Sequence, residues 1–317
     1  MSLAFVFPGQ GSQSVGMLAG LAAAEPVVRQ TFAEASAVLG YDLWRLCQEG
    51  PEAELGSTER TQPAMLTAGV ATWRAWIDRG GPRPVAMAGH SLGEYTALVC
   101  SGALDFAVAV DLVRFRGQVM QAAVPFGQGA MAAILGLEDD EVAAACADAE
   151  QGEVAEAVNF NAPGQVVVAG NATAVARAIE LARARGAKRA VLLPVSVPSH
   201  SRLMLGAAER LAGRLATVDV RMPDVPAVYT VDVQTHASPD SIRQALKEQL
   251  YKPVRWADTV RAMLATGVDT IVECGPGKVL TALNRRVARR PDLTMLSVED
   301  PDGLAAALAT CREKYDA

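Results

Sequence analysis

Three features of the chain have the residue types and spacing for nucleophilic chemistry. The first is Gly89-His90-Ser91-Leu92-Gly93, of the form G-x-S-x-G, which follows the apolar run Val85-Ala86-Met87-Ala88. A strand passing into a helix at such a pattern makes a sharp turn with the serine at its tip. The flanking glycines remove Cβ atoms that would clash, and the hydroxyl is left free to act as a nucleophile. Glu94 to Cys100 are expected to form the helix, whose N-terminus stabilises negative charge developing beside the serine. The plain alternative is a glycine-flanked turn with an idle serine.

The second feature is a base for that serine. The chain has three histidines. His90 adjoins Ser91, and at a tight turn its side chain points away. His236 lies in the polar loop Gln234-Thr235-His236-Ala237-Ser238-Pro239 and is expected to be solvated. His200, in Val197-Pro198-Ser199-His200-Ser201, is the best candidate. No acid stands out as a third member of a triad, and the order of the groups differs from that of an ordinary α/β-hydrolase. The third feature is Arg116. The helix expected after Asp105 carries Leu112, Val119 and Met120 on its apolar stripe, and Arg116 falls among them. An arginine so placed either snorkels to water or pairs with an anion.

The elements that must position these groups alternate between strand and helix, which points to an α/β fold with a mostly parallel, hydrolase-like sheet. Leu3–Phe7, Val85–Ala88 and Thr270–Cys274 read as strands of that sheet. A different rhythm runs from about 128 to 196. Ala130–Leu137 reads as a strand, Glu138–Ala149 as a helix, Val154–Asn159 and Val166–Gly170 as strands, Ala172–Arg185 as a helix and Lys188–Val195 as a strand. That βαββαβ order is the ferredoxin-like unit. The expected organisation is a large domain over 1–127 and 197–317 with a small subdomain, 128–196, inserted in it. Gly127-Gln128-Gly129 and Pro194–Pro198 are its hinges.

Composition agrees with an enzyme. The 317 residues suffice for a full core, and half are hydrophobic without a run long enough for a membrane span. The start, Met1-Ser2-Leu3-Ala4-Phe5-Val6-Phe7, lacks a basic n-region and reads as a first strand rather than a signal peptide. Five scattered cysteines without a C-x-x-C pair suit a reducing cytoplasm and argue against a disulfide framework or a metal site. The net charge of −6 argues against nucleic-acid binding.

Five segments, in order, carry a wider resemblance. They are Phe7-Pro8-Gly9-Gln10-Gly11-Ser12-Gln13, Gly89-His90-Ser91-Leu92-Gly93-Glu94, Asn159-Phe160-Asn161-Ala162-Pro163-Gly164-Gln165-Val166, Val195-Ser196-Val197-Pro198-Ser199-His200 and Glu273-Cys274-Gly275-Pro276-Gly277-Lys278. Over essentially its whole length the chain resembles the malonyl-CoA:acyl-carrier-protein transacylases of fatty-acid synthesis, whose pattern the acyltransferase domains of polyketide synthases share. Its clean ends look like those of the freestanding enzyme. The resemblance implies that Ser91 takes the acyl group, that His200 is the general base, and that a backbone carbonyl near Gln249 orients His200. By itself Gln249 reads as an ordinary glutamine at the end of a helix running from Ser238-Pro239 to Leu250. The resemblance further implies an oxyanion hole from the backbone N–H groups of Gln10 and Leu92, and Arg116 bidentate to the free carboxylate of malonate.

The implied reaction is ping-pong transfer of malonyl from malonyl-CoA to the phosphopantetheine thiol of acyl carrier protein. The coenzyme A thioester is then the substrate, with no metal or redox cofactor, and the partners include neither nucleic acid nor membrane. A cytoplasmic monomer is expected. The rivals are a serine esterase or thioesterase, which would hydrolyse the acyl-enzyme, and a non-catalytic carrier-protein-binding protein. Arg285, Arg286, Arg289 and Arg290 form a basic run that is either a solvated helix face or a docking surface for an acidic carrier protein or the phosphates of coenzyme A. Tyr229-Thr230-Val231-Asp232 departs from the family, which commonly has asparagine where Thr230 stands.

Overall fold

The computed structural model describes residues 2–195 and 197–315. Ser196, part of one quoted motif and of the expected subdomain boundary, lies outside the described residues. The strands are β1 (Leu3–Phe7), β2 (Ala86–Gly89), β3 (Gly129–Leu135), β4 (Ala155–Ala162), β5 (Gln165–Asn171), β6 (Arg189–Leu192), β7 (Ala227–Val228), β8 (Thr270–Cys274) and β9 (Thr294–Val298).

Two sheets result. The larger has the order β7-β2-β1-β8-β9 with every neighbouring pair parallel. Its inner strands are buried on both faces: all five residues of β1, a continuous apolar run, and of β8 are buried, and the one carboxyl group in β8, Glu273, accepts from the Leu280 and Thr281 N–H groups. Helices cover it. Phe5 stands edge-on to Trp73 and Trp76 of the helix Thr58–Asp78, each at 5.1 Å between ring centroids. The smaller sheet is antiparallel, in the order β4-β5-β3-β6, with the helices Asp139–Ala149 and Ala172–Ala184 packed on it. This is the order of the ferredoxin-like unit. Its β4 edge is anchored to the large sheet's surroundings, because the Phe160 N–H donates to the Val254 carbonyl at 2.9 Å and the Val254 N–H to that of Val158 at 2.8 Å.

Several boundaries differ from the sequence expectation. The strand expected over Lys188–Val195 ends at Leu192, because Pro194 has no N–H to continue the ladder and Val195 N–H turns back onto the Leu193 carbonyl. The strand expected to end at Asn159 runs on to Ala162, its register shifted between Ala157 and Asn159 and between Phe160 and Ala162. The large sheet also has two edge strands that the pattern did not reveal. β7 has two residues, and β9 is half-exposed along most of its length. Among the described residues no helix is long and apolar enough to cross a membrane. The five cysteines are unpaired.

Candidate active site

β2 leads into the helix Gly93–Cys100, and Ser91 stands between them with φ of 51°. A serine rarely adopts this left-handed conformation, so the surrounding packing must hold it there. The two glycines permit it. A Cβ on Gly89 would come within 1.8 Å of the Gly93 carbonyl carbon, and one on Gly93 within 2.1 Å of the Phe7 carbonyl oxygen. The turn is therefore pressed against the end of β1.

His200 is 3% exposed and also has a positive φ, 66°. Its Nδ1 lies 2.6 Å from the Gln249 carbonyl oxygen and its Nε2 2.8 Å from Ser91 Oγ. A carbonyl can only accept, so Nδ1 carries the proton and Nε2 faces the serine as an acceptor. A backbone carbonyl thus does the orienting that a carboxylate does in a triad. Burial, and after it the charge of Arg116, push the His200 imidazole down to about 3. The Gln249 residue itself caps the C-terminus of the helix Pro239–Glu248.

Arg116 lies in the helix Phe106–Gln121 and is 1% exposed, so it does not snorkel. Its Nη1 donates to Gln62 Oε1 at 2.8 Å. Its Nη2 donates to Gln249 Oε1 at 2.9 Å and reaches Ser91 Oγ at 3.3 Å. Among the described residues it makes no salt bridge and its Nε has no partner. Burial pulls the guanidinium below its ordinary value. A buried cation satisfied only by neutral groups is costly unless an anion arrives.

These groups open on one cavity of about 1040 Å³. Gln10, Ser91, Leu92, Arg116 and His200 line one side, and Met131 and Leu193 of the smaller sheet's end of the molecule line the other. Among the described residues the backbone N–H groups of Gln10 and Leu92 donate to no protein acceptor.

A scan against family models matches residues 4–305 to the acyl transferase domain. The chain belongs to the acyl transferase family. It is 57% identical over 305 residues to the malonyl CoA-acyl carrier protein transacylase of Escherichia coli (strain K12), covering 96% of this chain and 98% of that one. It is 44% identical over 316 residues to the transacylase of the same name from Bacillus subtilis (strain 168), covering 99% and 98%. Among solved structures it superposes on an acyl carrier protein S-malonyltransferase from Vibrio cholerae O1 with TM-score 0.93 at 56% identity, covering 96% and 99%. A malonyl-transacylase solved in complex with a type II PKS acyl-carrier protein matches with TM-score 0.96 at 53% identity, covering 98% and 100%.

Within this acyl transferase the remaining histidines take other places. His90 turns away from Ser91, and its Nε2 lies 2.8 Å from Asn161 Oδ1. His236 is not solvated as expected. Its side chain is only 16% exposed because the ring packs edge-on against Tyr229 at 4.7 Å. The basic run also departs from expectation, since it does not form one helix face. The helix Val279–Val287 ends before Arg289 and Arg290. All four arginines are exposed, and Arg286 reaches Gln165 Oε1 at 2.9 Å while Arg290 pairs with Asp292 at 2.5 Å. None of the four is among the described residues lining the cavity.

Gln62, Asn161 and Glu94 join the site without a role expected for them from the sequence. Glu94 is 2% exposed, and its Oε1 accepts from the N–H and the hydroxyl of Thr230 at 2.7 and 2.6 Å. Its Oε2 accepts from Gln249 Nε2 at 2.5 Å. Its place as the last residue of the G-x-S-x-G-E segment was the one available signal.

Proposed function

We propose that this protein transfers a malonyl group from malonyl-CoA to the phosphopantetheine thiol of acyl carrier protein through a malonyl ester on Ser91. The observation that carries this reading is Arg116, a buried guanidinium with no carboxylate partner among the described residues, 3.3 Å from the Ser91 hydroxyl.

His200 Nε2 takes the Ser91 proton as Oγ attacks the thioester carbonyl carbon. The tetrahedral oxyanion rests on the N–H groups of Gln10 and Leu92. Collapse breaks the carbon–sulfur bond, and the leaving coenzyme A sulfur takes the proton from His200. The malonyl ester stays on Ser91 with its free carboxylate on Arg116, a charge-assisted pairing that acetyl lacks. The same carboxylate offsets the Arg116 charge that depresses His200, so the proper substrate strengthens its own base. The carrier-protein thiol then gives its proton to His200, attacks the ester carbonyl, and releases Ser91 reprotonated. Each step moves an acyl group or a proton, so no metal or redox cofactor is needed.

In this reading residues 128–196 form an inserted subdomain that closes the far wall of the cavity, and the protein works as a monomer in the cytoplasm. Arg285, Arg286, Arg289 and Arg290 receive the acidic carrier protein. The test separates transfer from hydrolysis. Malonyl-enzyme freed of excess malonyl-CoA should pass its acyl group to holo-carrier protein far faster than to water. Loss to water at the same rate with and without carrier protein would make the protein an esterase.

A further inference from the structure

The Gln249 carboxamide has only one orientation that satisfies its neighbours. Its Oε1 accepts from Arg116 Nη2 at 2.9 Å, and its Nε2 donates to the Ser91 carbonyl at 2.9 Å and to Glu94 Oε2 at 2.5 Å. Rotating the amide by half a turn would set NH2 against the guanidinium and oxygen against two acceptors. Arg116 is donor-only and cannot adapt, and neither can the Ser91 carbonyl. Glu94 is held in turn by two donors of Thr230, both on Oε1, which leaves Oε2 for Gln249. The chain Thr230–Glu94–Gln249 therefore ends on both the strained nucleophile turn and the guanidinium. Buried networks of this kind are strong when every member is satisfied and fail when one is not.

We propose that Glu94 is a positioning residue for acyl-group selection, acting through the Gln249 carboxamide to aim Arg116 at the carboxylate of the incoming acyl group; this rests on the transfer reading above. Both Glu94 oxygens accept from neighbours and neither touches the guanidinium, so the carboxyl group fixes Gln249 without occupying the open face of Arg116; burial pushes Glu94 up to about 7, against the pull of its donors and of Arg116. Thr230 performs the outer part of that task with its backbone N–H and its hydroxyl together.

Glu94→Gln tests this with almost no change of shape. A glutamine there must present NH2 either to Gln249 Nε2 or to the Thr230 N–H, so at least one donor meets a donor. Acylation of Ser91 is measured by quenched-flow with malonyl-CoA and acetyl-CoA, in the wild-type and the Arg116→Ala backgrounds. The expected result is about a tenfold rise in the malonyl-CoA concentration for half-maximal acylation, the equivalent of one hydrogen bond to a charged group. Acetyl acylation should change much less, and the malonyl effect should vanish in the Arg116→Ala background. Thr230→Val, which removes the hydroxyl but keeps the N–H, should act in the same direction with a smaller change, and serves if Glu94→Gln does not fold. Two results would overturn the proposal. One is an equal loss on both substrates, or a loss that persists without Arg116, which makes Glu94 structural. The other is a lower malonyl requirement, which would mean that Glu94 acts on the substrate only by like-charge repulsion. A wild-type protein that forms no malonyl ester on Ser91 would instead overturn the transfer reading, and this proposal with it.

Discussion

The cavity floor and the basic run at 285–290 hold the same functional group in opposite surroundings. Arg116 is 1% exposed, fixed by two glutamine side chains, and stands over the Tyr95 ring at 5.5 Å. The four arginines of the run are exposed, and Arg290 is already paired with Asp292. A guanidinium in water gains little from one more anion, because solvent and salt screen it. A guanidinium shut away from water gains a great deal. Under the function proposed above the two regions do different work: Arg116 discriminates between acyl groups, and the run would affect only the rate of encounter with a charged partner.

The largest effect is expected at the floor. Ser91→Ala removes the atom that carries the acyl group, so transfer from malonyl-CoA to carrier protein should fall to background, a loss on the order of 10⁴-fold or more. The thermal stability should change little by comparison. Transfer retained at a substantial fraction of the wild-type rate would move the chemistry elsewhere.

Arg116→Ala comes next. Malonyl transfer should lose about 2–5 kcal/mol of transition-state stabilisation, the cost of stripping one partner from a buried charge pair. Acetyl transfer should be spared or raised. Equal losses in kcat/KM for the two substrates would erase the contrast between floor and run, because Arg116 would then be a structural residue.

The pH dependence sharpens the same contrast. Burial and the neighbouring Arg116 hold His200 down at about 3, so it stays neutral and able to accept a proton as pH falls through 6.5. His200 should therefore give acylation no inflection near the ordinary histidine value, whereas Glu94, which burial pushes up to about 7, should give one near there that is confined to malonyl-CoA and absent in Glu94→Gln. The sign for stability is the one for a depressed group. The contribution from keeping His200 neutral is fully present above the unfolded value and is lost as pH falls from there toward 3. In Arg116→Ala the His200 inflection should move upward, toward the ordinary value. A rate that halves near pH 6.5 with acetyl-CoA as well as malonyl-CoA, and still does so in Glu94→Gln, would show that burial and Arg116 do not hold the base down.

The smallest effect belongs to the run. Arg285→Glu with Arg289→Glu avoids Arg286, which contacts Gln165, and Arg290, which holds Asp292. The KM for carrier protein should rise at low salt by an amount worth about 1 kcal/mol or less per residue, with acylation by malonyl-CoA unchanged. The rise should shrink as salt is added. An unchanged KM at low salt would leave the run as a solvated surface.

The same two regions show what the sequence makes legible. Ser91 could be read because its conformation is enforced by residues two positions away on either side, Gly89 and Gly93. His200 could be read because histidine is scarce in this chain, and Arg116 because a charge in an apolar helix stripe is conspicuous. The network beneath them could not. Glu94 meets Thr230 across 136 residues and Arg116 meets Gln62 across 54, and no periodicity records such contacts. The main parallel strands announced themselves as apolar runs, whereas β7 is too short for any pattern and β9 is an edge. Of the two readings open for the basic run, a helix face or a docking surface, the first fails as stated because charge alone does not reveal that the helix stops at Val287.

The central claim is that the acyl group sits on Ser91 and that Arg116 selects it. Peptide mapping of the protein after brief exposure to an equimolar mixture of malonyl-CoA and acetyl-CoA tests it most directly. The account predicts a single acyl ester, on the peptide that contains Ser91, almost entirely malonyl in the wild type and shifted toward acetyl in Arg116→Ala. A malonyl ester on any other residue, or an acetyl share that is high in the wild type and unmoved by the substitution, would contradict it.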